Sequence, residues 1–142
     1  MEERIRPTKS GLFAIELLIA VGVFTLCAAI CMGLFVRAEV MSRDSADLTR
    51  AVNEARSVAE CWKAAGGDLS RTAELLDGTA EGNALLLRFD SDWNRVGDGG
   101  EFQIELLPES GSAEGLREAD LSVTRGDAQL LDWSVTALEV TP

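Results

Sequence analysis

The chain has 142 residues, with 13 Lys and Arg against 24 Asp and Glu, a formal net charge of −11, no His and no Tyr. That length holds one domain plus a membrane segment, and acidity of this size excludes general nucleic-acid binding through long-range repulsion. Without His there is no Ser/His/Asp or Cys/His arrangement and no imidazole metal ligand. No Gly-rich phosphate loop opens a helix, so neither an enzyme nor a cofactor is expected.

In chain order, the first informative stretch is Lys9-Ser10-Gly11-Leu12-Phe13-Ala14-Ile15-Glu16-Leu17-Leu18. From Leu12 to Val36 the chain is apolar except for Gly, Thr and one acid, Glu16. At about 1.5 Å per residue this run reaches roughly 37 Å, enough to cross a hydrocarbon core of about 30 Å. A carboxylate inside it costs about 2.5–3.5 kcal/mol on insertion scales, so it needs a partner or a reason. It falls one helical turn after Leu12, on the same face. Arg4, Arg6 and Lys9 precede the run, which places the N-terminus in the cytoplasm and everything after Val36 outside.

A short basic leader, a Gly just before an apolar run and an acid five residues into that run resemble the N-terminal signal of type IV pilins and pseudopilins. The resemblance implies that a prepilin peptidase cuts after Gly11. Leu12, which stands where the family usually has Phe, is then N-methylated, and Glu16 serves subunit assembly. Removal of residues 1–11 leaves a mature chain at −12, because Arg4, Arg6 and Lys9 outnumber Glu2 and Glu3 by one. Two other targeting readings compete. A cleaved secretory signal ending near Cys27-Ala28-Ala29 conflicts with the apolar run continuing through Ile30 to Val36. A plain signal anchor explains the length but neither Glu16 nor Gly11.

No Gly or Pro occurs between Gly33 and Gly66, so one helix of about fifty residues is predicted, ended by Gly66-Gly67. Family members often carry a Pro in the second half of the membrane run; here that region has Gly33. Beyond the membrane run, Met41, Leu48, Val52, Ala55, Ala59 and Trp62 make one helical stripe that needs cover. Glu39–Arg43, Arg50–Glu54 and Arg56–Glu60 are i,i+4 pairs on the other faces. Cys27 and Cys31 lie inside the apolar run and Cys61 alone lies outside it, so the soluble part is expected to form no internal disulfide.

Asp68 to Leu76 reads as a short helix or turn, capped by Asp68 or Ser70 and stopped at Gly78. Four strands with period-two alternation follow. Their apolar faces are Leu85, Leu87, Phe89; Phe102, Ile104, Leu106; Ala119, Leu121, Val123; and Leu131, Trp133, Val135, Ala137. Gly97–Gly100, Gly111–Gly115 and Gly126-Asp127 connect them. The predicted fold class is α+β: a long N-terminal α-helix packed on a four-stranded antiparallel sheet, which is also what the resemblance implies. The organisation is residues 1–11 as leader, 12–36 as transmembrane half-helix, 37–65 as amphipathic half-helix and 66–142 as sheet domain.

Within the sheet domain, Asp90, Asp92, Asn94, Asp98 and Glu101 stand at positions 1, 3, 5, 9 and 12 of a twelve-residue loop, the spacing of a calcium-binding EF-hand. Arg95 occupies the position that needs Gly, and strands rather than helices flank the loop, so an acidic solvated hairpin loop is the expectation and no metal site is assigned. Arg125-Gly126-Asp127 spells an integrin-binding tripeptide, but Gly-Asp between two strands is also what a tight turn needs.

The resemblance implies a structural subunit, minor or pseudopilin-type, of a type IV pilus or of a type II secretion or competence pseudopilus. Its partners would be the prepilin peptidase, a membrane platform protein, an assembly ATPase, other pilin or pseudopilin subunits, and membrane lipid before assembly. It would sit in the cytoplasmic membrane as a single-pass protein and afterwards in an extracellular filament. The alternative is a single-pass membrane-anchored extracellular binding module that does not polymerise.

Overall fold

The structure, a computed structural model, describes residues 9–110 and 114–139. Helix α1 runs over Lys9–Ala64 and helix α2 over Leu69–Leu76. Six strands follow: β1 (Thr79–Glu81), β2 (Ala84–Phe89), β3 (Arg95–Val96), β4 (Phe102–Pro108), β5 (Leu116–Arg125) and β6 (Ala128–Leu138). The chain divides into two compact units within α1, residues 1–44 and residues 45–142.

In the first unit α1 is uninterrupted, passing through Gly33 without a break. It is long and apolar enough to cross a membrane. Its large side chains from Leu12 to Met41 are all exposed. Thr25, a hydroxyl in the apolar run, donates to the Val21 carbonyl at 2.8 Å and so is satisfied within its own helix. Cys27 and Cys31 are exposed free thiols.

In the second unit the sheet is antiparallel throughout, in the order β1-β2-β4-β5-β6, with β3 paired to the same edge of β2 that carries β1. The four long strands are those predicted. The count of four was too low, because β1 and β3 have three and two residues and carry no periodicity to read. The apolar faces fall as predicted: Leu85, Leu87, Phe89, Phe102, Ile104, Leu106, Ala119, Leu121, Val123, Val135 and Ala137 are buried, while Leu131 and Trp133 are partly buried against the same core. Burying each large apolar side chain contributes about 1.5–3 kcal/mol.

The helical seam over this core is Ala51, Ala55, Val58, Ala59 and Trp62. The predicted stripe was therefore set partly on the wrong residues: Met41 and Leu48 are exposed and Val52 is half-buried. The buried seam includes the small side chains Ala51 and Ala55, whereas the larger Leu48 stays exposed. Of the predicted i,i+4 pairs, Glu39–Arg43 forms at 2.8 Å, within the first unit. Arg50 instead donates to the Asp92 carbonyl at 3.1 Å, and no ion pair joins Arg56 to Glu60 among the described residues.

The helix ends as the glycines demand. Gly66 and Gly67 take φ of 66° and 76°, and the Gly67 N–H returns to the Trp62 carbonyl at 3.0 Å. Asp68 then caps α2, accepting from the Arg71 N–H at 2.9 Å, as predicted. The stop is one residue earlier than predicted. Asp77, at φ 50°, is the left-handed residue, and the Gly78 N–H closes back on the Ala73 carbonyl. Asp tolerates this conformation better than most side chains. Buried Thr72 donates its hydroxyl to the Asp68 carbonyl at 2.6 Å, so no polar group is stranded there.

Candidate functional site

The residues assigned to processing and assembly lie together on the first unit's part of α1. Gly11, Leu12 and Glu16 are all within the helix; Gly11 is half-buried, and Leu12 and Glu16 are exposed. Glu16 makes no hydrogen bond or ion pair among the described residues. Arg4 and Arg6 lie outside the described residues. Chemically the arrangement offers one carboxylate on an otherwise apolar, uncovered helix surface. A cation from elsewhere that met it in low dielectric would be held strongly and would fix register.

The second candidate is the loop from Asp90 to Glu101, in the other unit. Its acids do not converge. Asp90 accepts at Oδ1 from the N–H groups of Asp92 and Asn94, each at 2.9 Å, and the Asn94 side-chain amide lies 3.1 Å from Oδ2. Its carboxyl is held below the ordinary value chiefly by the Asn94 backbone N–H, then by the Asn94 side chain. The Asp90 N–H donates to the Asn94 carbonyl at 2.9 Å, which closes a five-residue turn. Glu101 pairs with Arg125 at 2.5 Å and Asp98 is exposed. Arg95, at the EF-hand glycine position, donates to the Leu76 carbonyl at the end of α2 and lies over the Phe89 ring at 5.8 Å. No group of three His, Cys, Asp or Glu side chains suited to a metal ion occurs among the described residues.

What the turn does instead is place Trp93, which no period or motif in the sequence singles out. Held at φ 63°, Trp93 folds back onto the sheet, stacks on Phe102 at 4.3 Å between ring centroids and lies 5.5 Å from Phe89. The available signal was a Trp inside an otherwise polar loop. Arg125 of the tripeptide is likewise engaged, with Glu101, with Asp47 at 3.5 Å and over the Phe102 ring at 5.2 Å. Gly126, at φ 56°, makes the two-residue turn between β5 and β6.

This unit also carries concave regions, two of which are polar-lined or border an open strand. One of about 510 Å³ lies where α1 gives way to α2, lined by Gly67, Arg71, Asn83, Arg117 and Glu139 among others. Arg117 and Glu139 are paired there at 2.7 Å. The other, of about 370 Å³, runs beside β6 and is lined by Arg56, Ala59, Lys63, Trp133, Ser134 and Val135. The indole N–H groups of Trp62 and Trp133 are both shielded from solvent and find no acceptor.

Comparisons with protein-family models, curated proteins and solved structures gave no match.

Proposed function

We propose that the chain is a filament subunit, minor or pseudopilin-type, of a type IV pilus or of a type II secretion or competence pseudopilus. The observation that carries this reading is the pairing of Gly11 and Glu16 with a helix whose first half is apolar on every face and uncovered. Such a surface is unstable in water. It needs either lipid or copies of similar helices around it.

In this reading a prepilin peptidase cuts between Gly11 and Leu12, and the new amine on Leu12 is methylated. The mature protein waits in the cytoplasmic membrane as a single-pass subunit with its C-terminal domain outside. A platform protein and an assembly ATPase then drive its transfer from lipid into the filament. There Glu16 pairs with the Leu12 amine of an adjacent subunit, which rewards correct axial register more than raw affinity.

Intact mass and N-terminal sequencing of the protein extracted from its own membrane test this. A chain beginning at Leu12 and one methyl group heavier than the unmodified polypeptide is the expected result. A chain beginning at Met1 overturns the reading in favour of a plain anchor, and one beginning near Ile30 in favour of a secreted domain.

A further inference from the structure

β6 is the last strand of the sheet, and among the described residues nothing pairs with its outer edge. The orientation of its backbone follows from one contact. The Glu139 N–H donates to the Gly115 carbonyl at 3.0 Å, directly beyond the Leu116–Leu138 pair. Hydrogen-bonded and non-hydrogen-bonded pairs alternate along an antiparallel ladder. Ala137, Val135 and Trp133 therefore bond to β5, while Thr136, Ser134 and Asp132 turn their N–H and C=O groups to the open edge.

Open edges are ordinarily blunted by shortness, by Lys or Pro, or by bulges. The opposite edge follows that rule, since β1 has three residues and β3 two. β6 does not. It has eleven residues, no Lys, no Pro and a single charge, Asp132; its one register irregularity lies near its start, opposite Val123 and Thr124.

The groove of about 370 Å³ runs along this edge. Trp133 and Val135 give it an apolar floor, and the Trp133 indole N–H lacks an acceptor. Its rim on α1 is Arg56 and Lys63, seven residues apart and both exposed, with no ion pair among the described residues. Glu60 is exposed and does not line the groove. Two cations facing one groove stand out on a chain with a net charge of −11.

We propose that the β6 edge docks an extended acidic segment of a partner protein, which adds a strand to the sheet. Its backbone pairs with Asp132, Ser134 and Thr136, and its carboxylates reach Arg56 and Lys63. β-Strand addition supplies affinity through main-chain hydrogen bonds and specificity through alternate side chains. A second copy offering its own β6 fits less well, because that strand brings one acid and leaves most of the cationic rim uncompensated. The proposal stands whether or not the chain polymerises.

The test uses the full-length protein in detergent micelles and a fluorescent heptapeptide that alternates Glu with Thr and Val, followed by anisotropy. Saturable binding is expected, about tenfold weaker when Lys replaces Glu in the peptide. Ser134→Pro removes an edge-facing N–H without touching the β5 ladder and is expected to abolish binding while the circular dichroism is retained. Should that variant fail to fold, the surface double variant Arg56→Glu/Lys63→Glu is expected to reverse the preference towards the Lys peptide. Equal affinity for the two peptides, or no binding by either, overturns the proposal. So does a concentration-dependent dimer that Ser134→Pro dissolves, which would make a second copy the occupant.

Discussion

The indole N–H of Trp93 donates to Asp47 Oδ1 at 3.2 Å, so a loop residue reaches a carboxylate on the helix forty-six positions earlier. The same ring lies stacked on Phe102, and Asp47 also approaches Arg125 at 3.5 Å. One aromatic side chain thus ties the helix to the end of the sheet through a polar edge and an apolar face. Trp93→Phe keeps most of the face and loses the donor, with an expected cost of about 1 kcal/mol. Trp93→Ala loses both, at about 2–3 kcal/mol for a half-buried ring. Urea unfolding of both variants and of Asp47→Ala forms a double-mutant cycle, with a coupling of about 0.5–1.5 kcal/mol expected between positions 47 and 93.

Asp90 and Glu109 give acid behaviour of opposite sign. Hydrogen bonds from Asn94 hold the Asp90 carboxyl below its ordinary value. Its contribution is present above the unfolded-state pKa and is lost as pH falls through the lower folded-state value. Glu109 is raised, first by the negative charge of Asp120 and then by desolvation. It holds its proton more tightly when folded, so stability declines as pH rises from the unfolded-state pKa through the raised folded-state value. The expected outcome is that Asp90→Asn flattens the acid limb of the urea-midpoint curve. Glu109→Gln is expected to raise midpoints near neutral pH and to remove the decline. Midpoints measured from neutral to strongly acidic pH check both.

The helical seam gives a sharp contrast between neighbouring positions. Ala51 and Ala55 are fully buried, whereas Leu48 is 45% exposed. Ala55→Leu is expected to overpack the interface and cost about 1–3 kcal/mol. Leu48→Ala is expected to fall within about 0.5 kcal/mol of the parent. A stripe running through Leu48, Val52 and Ala55 would make Leu48→Ala costly as well, so the melting curve of Leu48→Ala decides it.

These contrasts show which parts of the fold the sequence carried. Period-two alternation in Phe102–Leu106 and Ala119–Val123 located strands and faces together, because a half-buried sheet imposes that pattern on every residue. The seam shares Ala55, Ala59 and Trp62 with the predicted stripe but takes in Ala51 and Val58 in place of Met41 and Leu48, and Ala51 is a weak hydrophobe that a hydropathy pattern does not mark. β1 and β3 exist through pairing with β2, a tertiary fact that leaves two or three residues no period to show. In the 90–101 loop the spacing of acids was legible and its meaning was not. Asp90 serves a backbone turn, and the turn serves Trp93. That purpose becomes visible only when Phe102 is seen beneath the ring.

Glu16 separates the filament reading from a plain anchor. In lipid, removal of the charge is favourable, since a carboxylate within the hydrocarbon region costs free energy and Leu does not. For a plain anchor Glu16→Leu is therefore neutral or beneficial: membrane levels hold and nothing else changes. In a filament the same substitution removes the carboxylate that pairs with a neighbour's amine, and it costs register even as it favours lipid. The variant is then expected to accumulate in the membrane and to vanish from the sheared filament fraction. Glu16→Asp keeps the charge on a shorter arm and is expected to be intermediate. Immunoblots of the membrane and sheared fractions from cells expressing each variant provide the measurement. Equal incorporation of Glu16→Leu and the parent chain would remove the electrostatic step from the mechanism.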